Sequence, residues 1–490
     1  MSATLNPPRK RKILIIGAGM SGMLMAIRLK GAGIDDFEIL EKADSAGGTW
    51  RDNTYPGLAC DVPGYLYTYS FEPNPDCSRR YAGGDEIQAY FLRVFNQYRL
   101  QKHTRFGQEV LAAVHTGGGW HVTTRNGDQW ETDILISAVG VLHHPQYPDI
   151  PGLDSFAGAC FHSARWNHAV PIDGKRVAVI GTGSTAVQIV SGLVDRVSQL
   201  KLFQRTAQWV LPAFDTHYSD WSKEILRRVP VLSKWLYQRY DDLYHGILGG
   251  GFSRERVIFL NLFRMMAERH LNQVRDPELR RRLTPNYSFG CKRFILSDRF
   301  YDAMQQPQTQ LVTHGIQHIE PAGIRTIDGT LHELDVIVLA TGFKAQHYVR
   351  PIQITGDNGL TLEQAWADGT KAYHSVALPG FPNFFMLQGP HSPIGNFSLI
   401  RIAEMQCGYL LQVVQKICQG DIRRLAPKAD ATDAFNRDLQ KAARDTVWMG
   451  PGCQSWYIDA RGNLTIWPYS IHRFEDLMRA PRLTDYDIVT

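Results

Sequence analysis

The sequence predicts an α/β protein with two Rossmann-like dinucleotide-binding domains and a helical insertion. Three observations favour this fold. A unit of apolar strand, glycine-rich turn and helix occurs twice, and residues from about 213 to 285 change to Arg, Leu, Trp and Tyr at helical spacing. The chain also has 490 residues, which is more than one ordinary core needs and predicts two or three domains.

In the first unit, the strand Ile-Leu-Ile-Ile directly precedes a glycine-rich turn, residues 17–22. A continuous apolar run of this kind is typical of a parallel strand that is covered on both faces. Gly17 allows the tight bend, Gly19 lets the backbone approach a pyrophosphate, and Gly22 lets the helix pack close to the strand. Ser21 lies at the start of that helix and is a further candidate for binding the cofactor.

In the second unit, the strand Val-Ala-Val-Ile precedes the turn 181–186. The N-terminus of the helix that follows each turn offers free N–H groups and positive partial charge, which favour phosphate groups. A single turn of this type is weak support, but two copies in the same context predict two dinucleotide sites. The candidate binding residues of the second turn are Gly181, Thr182, Gly183, Ser184, Thr185 and Ala186.

The residue after the next strand indicates which nucleotide each site holds. Glu41 and Arg205 each lie 24 residues beyond the first glycine of their turn (41 − 17 and 205 − 181). A carboxylate at this place accepts hydrogen bonds from a ribose and repels a 2′-phosphate, whereas an arginine pairs with that phosphate. The first site is therefore expected to hold FAD or NAD and the second NADPH. The alternative for Arg205 is an ordinary solvated surface charge.

Composition excludes several other classes of protein. The net charge of +5 is spread over 490 residues, so nucleic acid is not an expected partner. No run of 18 apolar residues exists, which argues against a membrane span, and the apolar run after the basic residues 9–12 is too short for a secretory signal. The seven cysteines form no CxxC pair, and we expect reduced thiols in a cytoplasmic protein.

The two units divide the chain. We expect the first part of one nucleotide domain at 1–150 and a linker at 151–175. The second nucleotide domain follows at 176–343, with its helical insertion at about 213–285 interrupted by three glycines at 249–251. The C-terminal part of the first domain is expected at 344–490.

Further motifs resemble those of the type I Baeyer–Villiger monooxygenases and related flavin-containing monooxygenases. Gly-Gly-Thr-Trp at 47–50 and Tyr-Pro-Gly at 55–57 lead to Cys60-Asp61, as in the flavin motif of that family. The resemblance implies that the first turn holds FAD. It adds these residues to the predicted flavin site: Gly48, Thr49, Trp50, Asp61 and Tyr67.

The segment between the two units is similar to the family fingerprint F-x-G-x-x-x-H-x-x-x-W-(P/D). It matches at Phe156, Gly158, His162 and Trp166, while Asn167 stands where Pro or Asp is usual. The related N- and S-oxygenating enzymes generally carry Tyr or Phe in place of Trp166, so the tryptophan favours the Baeyer–Villiger group. We interpret His162 as a structural residue of the connection between domains and not as a catalytic base.

The resemblance implies an enzyme that uses NADPH and O2 to convert ketones to esters or lactones through a C4a-peroxyflavin, with sulfides as further substrates. Arg293 would supply positive charge beside the peroxide and the later oxyanion, and Asp61 would pair with Arg293. Lys292 would bind the 2′-phosphate together with Arg205 and Thr206. The residues by themselves leave open an ordinary ion pair, or no contact at all, because Asp61 and Arg293 lie 232 positions apart (293 − 61).

Three alternatives remain at this point. An N- or S-oxygenating monooxygenase shares the architecture, but Trp166 argues against it. A pyridine nucleotide–disulfide reductase needs a redox-active cysteine pair beside the flavin, and the chain has no CxxC. A non-catalytic flavin-binding regulator would not need the second turn or Arg205. Loops and the insertion form the pocket walls, and their sequence carries no readable code for the substrate or the oligomeric state.

Overall fold

A computed structural model of the chain describes residues 9–248, 257–395 and 397–490. The predicted glycine break at 249–251 lies outside these residues. Two sheets that contain parallel strands, each covered by helices, form the α/β fold that the repeated unit predicts.

The first sheet has eight strands and is mixed. Its centre is parallel and carries the first glycine-rich turn, while an antiparallel meander extends one side. Two strands from the C-terminal half of the chain join this sheet. In spatial order the path is Gln353–Thr355, Val110–His115, Trp120–Thr124, Gln129–Ser137, Arg9–Ile16, Phe37–Leu40 and Thr104–Arg105, with Phe384–Met386 paired beside Gln129–Ser137.

The second sheet has five strands, all parallel, and its central strand Arg176–Ile180 carries the second glycine-rich turn. In spatial order the strands are Thr309–Val312, Gln199–Phe203, Arg176–Ile180, Val336–Leu339 and Ala159–His162. The edge strand Ala159–His162 comes from the segment that the sequence predicts to be a linker. The fingerprint therefore forms part of the sheet, in register with Val336–Leu339.

The remaining strands of the described residues form three smaller sheets. A three-stranded antiparallel sheet comprises Ile316–Glu320, Gly323–Thr326 and Leu331–Glu333, and two pairs comprise Val210–Leu211 with Ile295–Leu296 and Arg424–Pro427 with Tyr486–Val489.

The helices cover both sheets and form the insertion. In chain order the α-helices are Met20–Gly31, Thr49–Asp52, Gly84–Gln97, Ser184–Leu193, Asp220–Arg228, Pro230–Leu248, Val257–Leu271, Pro277–Leu283, Phe300–Met304, Leu362–Ala365, Leu399–Gln419, Ala429–Ala443 and Ile471–Met478. Short 3-10 turns occur at Leu100–His103, Leu153–Ser155, Ser163–Arg165, Ala345–His347, Asp357–Gly359, Val447–Met449 and Leu483–Asp485. Across the described ranges, no helix is long and apolar enough to cross a membrane.

The main hydrophobic core is formed by the first sheet and chiefly by four helices, Met20–Gly31, Gly84–Gln97, Leu399–Gln419 and Ile471–Met478. A second core surrounds the helix Ser184–Leu193, which packs on the second sheet. Each glycine-rich turn thus stands on a strand that is buried on both faces, which fixes its position.

The Tyr-Pro-Gly segment, which follows the first unit in the chain, contacts the helix of the second unit through very close backbone packing. A Cβ atom on Gly57 would lie 2.3 Å from the carbonyl oxygen of Gln188, and one on Gly192 would lie 2.9 Å from the backbone nitrogen of Gly57. The Tyr55 hydroxyl donates to Gln188 Oε1 at 2.8 Å, and Gln188 Nε2 donates to the Ala59 carbonyl at 2.9 Å. The Tyr-Pro-Gly segment therefore fixes the position of the second unit's helix relative to the first domain.

Candidate functional site

The first glycine-rich turn, 17–22, forms a cleft with Gly48. Gly17 adopts a φ of +104°, and a Cβ on it would lie 2.8 Å from the Ala138 carbonyl oxygen, so the bend requires glycine. On Gly19, by contrast, the nearest heavy atom to a Cβ would be the Cα of Gly48 at 3.6 Å. The space beside Gly19 is open, which fits a pyrophosphate that approaches the backbone there.

The start of the helix Met20–Gly31 packs against this turn. A Cβ on Gly22 would lie 1.9 Å from the Gly17 carbonyl oxygen, and Ser21 is buried. Gly19 is the N-cap of the helix and has no side chain to cap it. The helix N-terminus therefore offers its N–H groups and positive partial charge to an anion in the cleft.

Glu41 lies at the end of strand Phe37–Leu40, beside the turn. The carboxylate is buried and accepts N–H groups from Ala18 at 2.7 Å and Ala43 at 3.0 Å. Arg51 Nη1 pairs with Glu41 Oε1 at 3.2 Å. A carboxylate can accept about four hydrogen bonds, so Glu41 could still accept one from a ribose hydroxyl. Arg51 was missed in the sequence, where its only indication is its place directly after the Gly-Gly-Thr-Trp motif.

The residues that follow Gly48 form an aromatic wall. Gly48 has a φ of +57° and precedes the short helix Thr49–Asp52. Trp50 Nε1 donates to the Tyr67 hydroxyl at 3.1 Å, and the two rings meet edge-on with centroids 5.4 Å apart. Burial raises the pKa of Tyr67 above its usual range, so the phenol stays protonated and remains a donor.

The second turn, 181–186, repeats the geometry of the first. Gly181 has a φ of +126°, and a Cβ on it would lie 2.2 Å from the Ala340 carbonyl oxygen. A Cβ on Gly183 would meet nothing within 4 Å among the described residues. Ala186 is fully buried and takes the packing place of the third glycine. The open space beside Gly183 fits a second pyrophosphate.

Side chains hold the second turn in shape. The Thr182 hydroxyl donates to the Thr206 carbonyl at 2.7 Å, and Gln208 Nε2 contacts Thr182 Oγ1 at 3.4 Å. The Tyr287 hydroxyl in turn donates to Gln208 Oε1 at 2.8 Å. This chain of contacts ties the turn to the loop after strand Gln199–Phe203, where a 2′-phosphate would lie.

The helix Ser184–Leu193 begins at the second turn and faces the first unit. Ser184 and Thr185 form its first turn, behind the uncapped Gly183. Thr185 neighbours the phenol of Tyr55, and burial raises the pKa of that phenol to about 12. The helix end that would bind phosphate is therefore also part of the contact between the units.

Arg205 and Lys292 lie close together at the edge of the second turn. Arg205 is exposed, and Lys292 places its ammonium 4.7 Å from the centre of the Tyr287 ring. Burial, together with the charge of Arg205, lowers the pKa of Lys292. No carboxylate in the described part of the chain lies within 4.0 Å of either cation. Two neighbouring positive charges without an acidic partner fit a dianionic phosphate.

Asp61 and Arg293 meet. Arg293 Nη2 lies 2.6 Å from Asp61 Oδ1, and each side chain is 30% exposed. A partly exposed ion pair adds roughly 1 kcal/mol or less to stability, so its geometry matters more than its contribution to folding. The pair brings together the segment after the flavin motif and the loop before strand Ile295–Leu296.

Three buried groups lie near this pair: the phenols of Tyr67 and Tyr457 and the thiol of Cys60. Burial raises the pKa of Tyr457 to about 12, and it raises the pKa of Cys60 above its usual range. The charges of Asp61 and Arg293 act on both groups. Sequence reasoning missed Tyr457, because no pattern in the chain indicates that it lies near Arg293.

The expectation that all seven cysteines are reduced thiols is wrong in this structure. Cys291 and Cys453 form a disulfide with their Cα atoms 5.5 Å apart. The sequence does not indicate this pair, because 162 positions separate the two residues and only the tertiary fold brings them together. The other five cysteines are free: Cys60, Cys77, Cys160, Cys407 and Cys418.

His162 ties the fingerprint strand to the end of the neighbouring strand. Its Nδ1 accepts the Ala164 N–H at 3.1 Å, so Nε2 carries the proton and donates to the Gly342 carbonyl at 3.0 Å. The residue is fully buried, and burial lowers its pKa. A neutral histidine with both nitrogens engaged is structural, and it couples the 151–175 segment to the loop at Gly342.

The chain is similar to known proteins over most of its length. The family described as pyridine nucleotide-disulphide oxidoreductase matches residues 14–234. An uncharacterized monooxygenase of Mycobacterium tuberculosis is 46% identical over 480 residues, covering 97% of this chain and 96% of the relative. Baeyer-Villiger monooxygenases of Streptomyces coelicolor and Pseudomonas aeruginosa are 38% and 37% identical, covering 98% and 100% of this chain and 92% and 94% of the relatives.

Solved structures extend the similarity to the whole fold. A cyclohexanone monooxygenase from Rhodococcus bound to NADP+ superimposes with a TM-score of 0.85 at 26% identity, covering 99% of this chain and 100% of that chain. An oxidized steroid monooxygenase bound to NADP gives a TM-score of 0.87 at 26% identity, covering 98% and 99%. The chain therefore belongs to the Baeyer–Villiger monooxygenase family of flavin-dependent oxygenases.

Proposed function

We propose that this protein uses FAD, NADPH and O2 to convert ketones to esters or lactones, with Asp61 and Arg293 at the reacting centre. The proposal rests above all on the 2.6 Å contact between these two side chains. It joins the end of the flavin motif to the loop that also carries Lys292.

Bound FAD and NADPH would supply the hydride transfer and the activation of oxygen. The task of Arg293 is to keep a permanent positive charge where negative charge develops on the substrate oxygen, because a guanidinium stays protonated at every physiological pH. Asp61 fixes the direction of that guanidinium. The buried ring of Tyr457 and the Trp50–Tyr67 pair exclude water from the same region, which strengthens the electrostatic effect of Arg293.

The first turn would bind the FAD pyrophosphate at Gly19, with Ser21 and Gly22 supporting the helix start and Glu41 accepting the ribose hydroxyls. Gly48, Thr49, Trp50, Asp61 and Tyr67 would line the remainder of that site. The second turn would bind the NADPH pyrophosphate at Gly183, while Arg205, Thr206 and Lys292 would bind the 2′-phosphate.

We assign residues 1–150 and 344–490 to the FAD domain and residues 176–343 to the NADP domain. The strands Gln353–Thr355 and Phe384–Met386 support this assignment, since they join the first sheet from the C-terminal half. We also infer a cytoplasmic location, where NADPH is regenerated.

The substrate is inferred to be a ketone, with sulfides as a second accepted class. Relatives named for cyclohexanone and a steroid support an alicyclic ketone. Trp166 matches the Baeyer–Villiger fingerprint, whereas N-oxygenating enzymes generally carry Tyr or Phe at this place. An amine oxygenase is therefore not favoured.

The test is NADPH oxidation by the FAD-loaded protein with linear, cyclic and aryl ketones, one aryl sulfide and one tertiary amine, followed by mass spectrometry. We expect ketone-dependent NADPH consumption and an ester or lactone one oxygen atom heavier than the ketone. An amine oxide without any ester would overturn the proposal in favour of an N-oxygenase.

A further inference from the structure

The Cys291–Cys453 disulfide joins two loops at the proposed reacting centre. Cys291 lies two residues before Arg293, and Cys453 lies four residues before Tyr457. The charges of Arg293 and Asp61 reach the buried phenol of Tyr457. The covalent link therefore joins the two chain segments that carry Arg293 and Tyr457.

Neither loop is held by regular secondary structure. Residues 284–294 have no helix or strand between helix Pro277–Leu283 and strand Ile295–Leu296, and residues 450–457 have none after the turn Val447–Met449. Backbone without a ladder of hydrogen bonds has more conformational freedom. A covalent bond between the two loops removes much of that freedom and so narrows the positions open to Arg293.

The two sulfur-bearing residues differ in exposure. Cys291 is fully buried, while Cys453 is only half-buried and lies in an exposed turn with Gly452 and Gln454. The more exposed side of the disulfide, from which an external thiol would approach, is therefore that of Cys453. Disulfides are rare in a reducing compartment unless they respond to redox conditions, and the inferred cytoplasmic location places this one in such a compartment.

We propose that the Cys291–Cys453 disulfide is a reversible positioning element: when oxidised it holds the Arg293 loop against the Tyr457 loop, and reduction by a dithiol uncouples NADPH oxidation from oxygen transfer. The inference rests on the proposed function. Neither cysteine is catalytic, since both act through the position of Arg293.

The chemistry is ordinary thiol–disulfide exchange. A thiolate of the dithiol attacks Cys453 Sγ, the disulfide bond breaks, and Cys291 leaves as a thiolate that takes up a proton. The second thiol then attacks the sulfur of the reductant that is bonded to Cys453, which releases the Cys453 thiol and a cyclic disulfide. Two electrons and two protons pass to the protein. Hydrogen peroxide reverses the reaction, as two thiols and one peroxide give one disulfide and two waters.

The first measurement counts thiols. Untreated holoenzyme, denatured in iodoacetamide, should carry five modified cysteines, the number of free thiols in the structure, and protein treated with dithiothreitol should carry all seven. Treatment with hydrogen peroxide should restore five. Seven modified cysteines in both untreated and peroxide-treated protein would overturn the proposal.

The second measurement follows the loop itself. Reduction should accelerate tryptic cleavage after Lys292 and Arg293, while cleavage after Arg423, in a distant part of the chain, keeps its rate. With an accepted ketone, reduction should lower kcat for ester formation roughly tenfold, raise hydrogen peroxide per NADPH, and leave FAD content and the KM for the ketone unchanged.

Variants separate positioning from general damage. Cys291→Ala/Cys453→Ala should behave like the reduced enzyme and no longer respond to dithiothreitol. Cys418→Ser, which removes a half-buried free thiol, should respond as the wild type does. Unchanged cleavage after Lys292 and unchanged ester per NADPH in reduced enzyme would overturn the inference. If no ketone is oxygenated at all, the proposed function fails, while the thiol count and the cleavage rates still test the link.

Discussion

Arg293 is the residue on which the proposed chemistry depends most directly. It meets Asp61 at 2.6 Å, and neither glycine-rich turn contains it. Arg293→Ala should therefore leave FAD bound and its reduction by NADPH intact, while ester formation falls. Loss of one donor to a developing oxyanion costs roughly 3 to 4 kcal/mol, a hundredfold to thousandfold effect. The measurement is ester, hydrogen peroxide and NADPH in one assay, with peroxide expected in place of ester.

Arg196→Ala is the matched control for that experiment. Arg196 also pairs with an aspartate, Asp173, at 2.7 Å, but on the exposed surface, and its loss should leave ester per NADPH unchanged. If Arg293→Ala keeps the wild-type ester yield, Arg293 is a structural residue. Asp61→Ala should also lower the ester yield per NADPH, because the guanidinium loses the group that orients it.

Arg205 tests the choice of nucleotide at the same scale. Its positive charge lies beside Lys292 and has no carboxylate partner within the described ranges. Arg205→Ala should raise the KM for NADPH by about tenfold to a hundredfold, the equivalent of roughly 1.5 to 3 kcal/mol for a charge-assisted contact. The KM for NADH should change little, because NADH has no 2′-phosphate. A mutant that still prefers NADPH as strongly as the wild type would contradict the assignment.

At the scale of elements, the contact between the Tyr-Pro-Gly segment and helix Ser184–Leu193 leaves no space for a Cβ atom at Gly57 or Gly192. A Cβ on Gly192 would lie 2.9 Å from backbone atoms of Pro56 and Gly57. Backbone cannot give way as a flexible side chain does, so Gly192→Ala should lower the free energy of unfolding by roughly 1 to 3 kcal/mol. The midpoint of urea denaturation measures the loss.

Gly408→Ala is the control, since Gly408 lies inside helix Leu399–Gln419 and a Cβ there would meet nothing within 4 Å. The same substitution should leave stability unchanged or raise it by up to about 1 kcal/mol, because alanine favours the helix. Equal effects at Gly192 and Gly408 would show that helix propensity alone decides, and that the two units do not press on each other at this contact.

For the whole molecule, buried neutral histidines predict a loss of stability in acid. Burial lowers the pKa of His374 to about 3 and that of His391 to about 4, below the value of about 6.5 expected in the unfolded chain. As pH falls below 6.5, the unfolded chain binds protons that the folded protein excludes. The contribution of each histidine to the free energy of unfolding is therefore fully present above about pH 6.5 and is lost as pH falls toward its pKa in the folded protein. At pH 5 this loss is about 2 kcal/mol per histidine.

Thermal unfolding between pH 7.5 and pH 5 checks this expectation. Asparagine tolerates the positive φ angles of His374 (+50°) and His391 (+64°) and does not titrate. The double variant His374→Asn/His391→Asn should therefore lose less of its melting temperature on acidification than the wild type. The same pH slope in both proteins would assign the acid sensitivity to other groups.

Local patterns were sufficient to predict the two strand–turn–helix units, which depend on neighbouring residues. A buried strand, a turn that needs glycine and the residue after the next strand all lie within about 30 positions, so the α/β fold and the two nucleotide turns followed from the sequence. The resemblance to the family, carried by short motifs of the same kind, added the flavin monooxygenase function.

Only the tertiary structure decided the contacts between distant segments. The meeting of Asp61 with Arg293, the bond between Cys291 and Cys453, and the place of the fingerprint as an edge strand all join residues more than 150 positions apart. No local periodicity or spacing encodes such pairs, because they depend on how whole sheets and loops pack. The expectation of seven reduced thiols failed for that reason: proximity in space, not spacing in the chain, determines which cysteines can bond.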